Sequence, residues 1–90
     1  MTSGSIEIGE IVCSKAGRDR GRAFVILAIL DAEYVLLVDG RLRTLERPKK
    51  KKRKHLFKAS EARMELNDRQ SNADIRKFLA ASGFQNDRNE

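Results

Sequence analysis

Ala23-Phe24-Val25-Ile26-Leu27-Ala28-Ile29-Leu30, followed by Asp31-Ala32-Glu33, Tyr34-Val35-Leu36-Leu37-Val38 and Asp39-Gly40, is the stretch on which the fold turns. Residues 23–30 are apolar at every position, and 34–38 nearly so. β-Branched and aromatic-rich runs of this length suit strands buried on both faces better than helices. Asp31-Ala32-Glu33 reads as the hairpin loop between them. Asp39-Gly40 then ends the second strand, and Asp-Gly between apolar runs is a strong short-range hairpin signal. The segment Arg41-Leu42-Arg43-Thr44-Leu45 is therefore expected as a further strand, closed by Pro48, which cannot donate to a ladder.

Upstream, residues 6–15 read as a strand with Ile6 and Ile8 on one face and a bulge or bend at Gly9-Glu10, where the alternation breaks. Between that strand and Phe24 lies Gly17-Arg18-Asp19-Arg20-Gly21-Arg22. Two glycines accept positive φ and leave room beside the backbone. The cations Lys15, Arg18, Arg20 and Arg22 surround the opening with donors suited to phosphate. Asp19 is placed to pair with one of them and reduce the local field.

Downstream, His55-Leu56-Phe57 is expected as a fifth, short strand. Five short strands with hairpin turns suggest a small closed β-barrel, and its outer apolar face needs a cover. The C-terminal segment supplies one. Ser71 and Asp74 form a capping-box variant, and Ile75, Phe78 and Leu79 share one helical face. Gly83 and Phe84 suit a Schellman close, which places a helix at 72–82. Ser60 is a candidate cap for a short helix through Met64 and Leu66. The fold class is thus mainly β, a small five-stranded barrel with a C-terminal α-helix packed on it. The barrel takes residues 1–58, a helical extension 59–84, and a disordered tail 85–90.

The chain has 90 residues, a formal net charge of +6 and a single cysteine. That length holds one domain, and one cysteine cannot close an internal disulfide, so cytosol is the expected compartment. Cys13, within an apolar strand, reads as a small buried hydrophobe. No apolar run is long enough to span a membrane, and Met1-Thr2-Ser3-Gly4-Ser5 lacks the regions of a signal peptide. The charge is unevenly spread. Residues 41–58 hold ten Lys/Arg against Glu46 alone, a net of +9, whereas 59–90 carry a net of −1. One histidine and one cysteine offer no nucleophile–base set or metal-ligand spacing. The expected protein is therefore not an enzyme, needs no cofactor or metal, and takes no small-molecule substrate.

Gly9-Glu10-Ile11-Val12-Cys13-Ser14-Lys15-Ala16-Gly17-Arg18-Asp19-Arg20-Gly21-Arg22-Ala23-Phe24-Val25-Ile26 resembles the KOW motif: a glycine, a hydrophobic strand, a glycine-containing basic loop and a second hydrophobic strand. The likeness continues through Tyr34–Gly40, Leu45-Glu46-Arg47-Pro48 and Lys49 to Leu56, and returns at Asn72-Ala73-Asp74-Ile75-Arg76-Lys77. Over that span the chain is similar to bacterial KOW-domain RNA-binding proteins grouped with the KOW-type large-subunit ribosomal proteins of archaea and eukaryotes. The resemblance implies an SH3-like barrel that binds structured RNA, usually ribosomal RNA, through loops at one end. It places the basic loop on Gly17 to Arg22 and a basic strand-connecting segment on Lys49 to His55.

The candidate RNA contacts follow. Lys49, Lys50, Lys51, Lys52, Arg53 and Lys54 form a run that repels itself and gains by lying along phosphates with release of counterions. The same run also reads as a solvated loop or a nuclear-localisation signal. Lys15, Arg18, Arg20 and Arg22 form the second group, with Gly17 and Gly21 as enablers of close approach. Arg43, with Arg41, serves either RNA or a salt bridge to Glu46, and His55 either phosphate or structure. Few aromatics favour recognition of folded RNA by backbone and shape over reading of single strands. The expected partner is ribosomal RNA or the large ribosomal subunit, bound by a protein that is monomeric when free and does not touch membranes. The competing reading is a protein-interaction module of the transcription or translation machinery, binding a ribosomal protein or polymerase.

Overall fold

Five antiparallel strands and one helix make up the computed structural model, which describes residues 6–84; the tail expected at 85–90 lies outside them. The strands are β1 (Glu10–Ser14), β2 (Ala23–Ile29), β3 (Tyr34–Val38), β4 (Lys49–Lys52) and β5 (Leu56–Arg63), and the helix is α1 (Asn72–Ala81). The sheet order is β4-β3-β2-β1-β5.

The apolar run that opens the reading becomes the β2–β3 hairpin, with Val25 opposite Val38 and Ile29 opposite Val35. Its loop is closed by the Asp31 carboxylate, whose Oδ1 accepts the N–H groups of Glu33 and Tyr34, each at 2.8 Å. Two-sided burial is observed. One face gathers Ile6, Val12, Phe24, Ile26, Val35, Leu37 and Leu56 into a core round which the sheet curls. The other gathers Ile11, Cys13, Ala23, Val25 and Val38 under Ile75 and Leu79 of α1. Cys13 is a free, buried thiol, and burial raises its pKa.

The helix forms where expected. Ser71 and Asp74 cap each other reciprocally, Gly83 N–H donates to Ala80 O, and Phe84 N–H donates to Leu79 O at 2.8 Å. Those two bonds are a Schellman close. Near Gly9 (φ 92°) the β1–β5 register shifts between Glu10 and Val12, as the broken alternation implies.

Three expectations are corrected. First, 41–45 is not a strand. Asp39 Oδ1 accepts the N–H groups of Arg41 and Arg43, and the Leu45 N–H goes to Asn72 Oδ1 on the helix. The backbone of this segment is thus spent locally and on α1, and Arg41 and Arg43 do not project from a strand face. The fourth strand is the basic run itself, and Pro48 precedes it. Second, no short helix follows Ser60. β5 continues to Arg63, and the Ser60 hydroxyl accepts the Ala62 N–H at 3.0 Å inside the bulged strand. Third, the sheet is barrel-like but not closed, since β4 and β5 are its two edges. They are joined by a single 3-10 turn, Arg53–His55. β1 engages β5 through its ladder and Glu10–Lys58 pairing, whereas side chains rather than a ladder link β4 to the β1–β2 loop.

Candidate nucleic-acid interface

The loop between β1 and β2 is built by its own backbone bonds. Ser14 N–H donates to Arg22 O at 3.1 Å, and Gly21 N–H donates to Ser14 O at 2.9 Å, which closes the stem. Within it, Arg20 N–H reaches Gly17 O and Arg22 N–H reaches Asp19 O. Gly17 and Gly21 both stand at positive φ, 76° and 84°. No other backbone crowds either: a Cβ on Gly21 would meet nothing within 4 Å, and one on Gly17 only the Lys51 ammonium. The side chains of Lys15, Arg18 and Arg20 are exposed around this opening.

The basic strand docks on that loop. Lys51 Nζ donates to Ala16 O at 3.2 Å, and Lys49 Nζ pairs with Asp19 Oδ2 at 3.0 Å. Lys15 N–H donates to His55 O at 2.7 Å, which ties the loop to the 3-10 turn after β4. Segments some thirty residues apart in sequence are thus brought into contact. Four lysines are poor strand formers by propensity. Pairing with Tyr34–Leu37 overrides this, since lysine stems can lie over apolar neighbours while their ammonium groups stay wet.

The candidate residues separate by environment. Lys50 and Lys54 are exposed, and Lys52 and Arg53 are half-buried beside the Tyr34 end of the hairpin. Arg53 N–H donates to Glu33 O at 2.7 Å, and its guanidinium lies 3.5 Å from Asp31 O. His55 is half-buried. Arg22 has a different commitment: its Nη2 pairs with Asp39 Oδ2 at 2.8 Å, and the Asp39 side chain is fully buried. Burial opposes ionisation of Asp39, but the N–H groups of Arg41 and Arg43 and the Arg22 guanidinium outweigh it and hold its carboxyl below the ordinary value. Arg43 lends its backbone to the same turn, which sets both residues at the border of the surface. Neither Arg41 nor Arg43 pairs with Glu46 among the described residues; Glu46 accepts instead from Asn72 Nδ2 at 3.0 Å.

Two participants carry weak signals in the sequence. Asp19 finds its partner far along the chain rather than beside it. Tyr34 lies under the ammonium groups of Lys50 and Lys52, 4.6 and 5.9 Å from the ring centroid, and only reading the lysine run as a strand would reveal that. No family model matches this chain, and no curated protein is significantly similar to it.

Proposed function

We propose that this protein binds structured RNA, ribosomal RNA above all, through phosphate contacts from the Gly17–Gly21 loop and the β4 segment. The observation that carries the reading is the docking of Lys49 and Lys51 on Asp19 and Ala16. It joins the loop that carries the exposed Lys15, Arg18 and Arg20 to the strand and turn that carry Lys50, Lys52, Arg53 and Lys54, while Asp19 and Asp39 are buried. A strongly basic run, with few aromatics to read bases, suits a phosphate backbone. The KOW resemblance of residues 9–26 supports the same reading, because its basic loop falls between the first two strands, where the loop is observed.

The test is filter binding to purified large-subunit ribosomal RNA across a salt series. The logarithm of the binding constant is expected to fall linearly with the logarithm of salt. Replacing Lys15, Arg18 and Arg20 together by alanine is expected to weaken binding to all RNA sequences alike and to flatten that line, since phosphate contacts carry no base information. A protein that ignores RNA but captures a ribosomal protein, with little salt dependence, would favour the interaction-module reading instead.

A further inference from the structure

The four lysines of β4 do not act as one group. Strand geometry sends successive side chains to opposite faces, and their contacts divide accordingly. Lys49 and Lys51 reach the β1–β2 loop, one in an ion pair with Asp19 and the other bonded to the Ala16 carbonyl. Lys50 and Lys52 stand opposite Leu36 and Tyr34 and hold their ammonium groups over the Tyr34 ring. Neither is in an ion pair among the described residues. β4 is an edge strand, so no further strand lies beyond it in the sheet.

We infer that Lys50 and Lys52, carried on the Tyr34 ring, form a phosphate track for an RNA strand, and that Lys49 and Lys51 are latches that position the glycine loop. This rests on the RNA-binding reading above and divides its basic run into contact and support. Side chains two apart on a strand repeat every ~6.6 Å, a step comparable with that between successive phosphates of an RNA strand. The ring face attracts both cations. It thereby restricts two flexible stems before binding, which lessens the ordering entropy lost on association. Past Lys52 the surface dips into a recess of about 120 Å³ lined by Ala32, Glu33, Lys52, Arg53 and Lys54. Charges on an edge strand also discourage pairing with other chains, but that duty needs no aromatic support beneath them.

The experiment compares wild type with Lys50→Ala/Lys52→Ala and Lys49→Ala/Lys51→Ala. Affinity for a short fluorescent RNA hairpin is followed by anisotropy between about 50 and 200 mM salt, and thermal melting is followed in parallel. Lys50→Ala/Lys52→Ala is expected to melt closer to wild type than the other variant does, and to lose roughly 1.4 to 1.8 from the salt slope, the value of two phosphate contacts. Lys49→Ala/Lys51→Ala is expected to keep the slope and melt at a lower temperature. An unchanged slope in the first variant, or the larger loss in the second, overturns the track while leaving RNA binding in place. A wild-type protein that shows no salt-dependent binding overturns the RNA reading itself, and the track with it.

Discussion

The Asp39–Gly40 turn lies beneath α1, whereas the Gly17–Gly21 loop opens to solvent, although both combine an aspartate, glycine at positive φ and flanking arginines. Gly40 is buried, and the Arg76 guanidinium donates to its carbonyl at 2.7 Å. Gly17 and Gly21 are exposed, and their arginine neighbours Arg18 and Arg20 point outward. The two turns meet through the Arg22–Asp39 pair. What separates them is the element each packs against. The helix converts one turn into a joint of the fold, whereas the other is held at one side by lysine side chains of β4 and keeps both glycines exposed as a charged opening.

The contrast breaks first at the joint. A Cβ on Gly40 would overlap the Asn72 carbonyl oxygen at the start of α1 and press on Arg76. Helix backbone cannot give way as a side-chain tip can. Overpacking of that kind costs about 1–3 kcal/mol, and a side chain in the left-handed region adds about 1–2. Gly40→Ala is therefore expected to lower the melting temperature by more than about 10 °C. A melt within a few degrees of wild type would mean that the helix slides freely over this turn.

The tie between the two turns comes next. Asp39→Asn retains an oxygen for the Arg41 and Arg43 N–H groups but removes the charge that faces Arg22. The expected loss is about 1–3 kcal/mol, the range for leaving a partly buried polar partner unsatisfied. Its pH dependence has a definite sign. The folded-state pKa of Asp39 lies below the ordinary value, so its contribution is fully present above the unfolded pKa of about 3.9. It is lost as pH falls through the folded value. The stability gap between wild type and Asp39→Asn, read from urea unfolding, should be widest above about pH 5 and shrink on acidification. A gap independent of pH would show that the amide serves Arg22 as well as the carboxylate does.

The legibility of this chain follows the same division. The β2–β3 hairpin with its loop and the capped helix were readable because each rests on local chemistry: two apolar runs split by a short polar loop, a capping box and a C-terminal glycine. The fourth strand was not. Its lysines have no strand propensity, and only the partner strand Tyr34–Leu37 makes them one. Arg41–Leu45 looked more like a strand, but Asp39 and Asn72 take up its backbone donors. At the site, the glycine loop and the lysine run were both visible as charge. Their contact was not, because a pairing such as Lys49 with Asp19 leaves no periodic trace. The missed alternation within the run follows from the missed strand.

The smallest effect on stability is expected at the open turn, and it sharpens the comparison most. Gly21 has φ 84° and nothing within 4 Å of a would-be Cβ. Gly21→Ala thus meets conformational strain without overlap, about 1–2 kcal/mol for a side chain in the left-handed region. That amounts to a melting shift smaller than at Gly40, with the fold intact. RNA affinity is expected to fall several-fold all the same, because the added methyl stands where a phosphate backbone would approach the loop. The ratio of the two effects is the informative quantity. Gly40→Ala should lower affinity only as far as it unfolds the protein, whereas Gly21→Ala should lower it in molecules that remain folded. If Gly21→Ala binds ribosomal RNA as tightly as wild type, the loop backbone is not part of the contact surface, and the exposed arginines beside it act only through their reach.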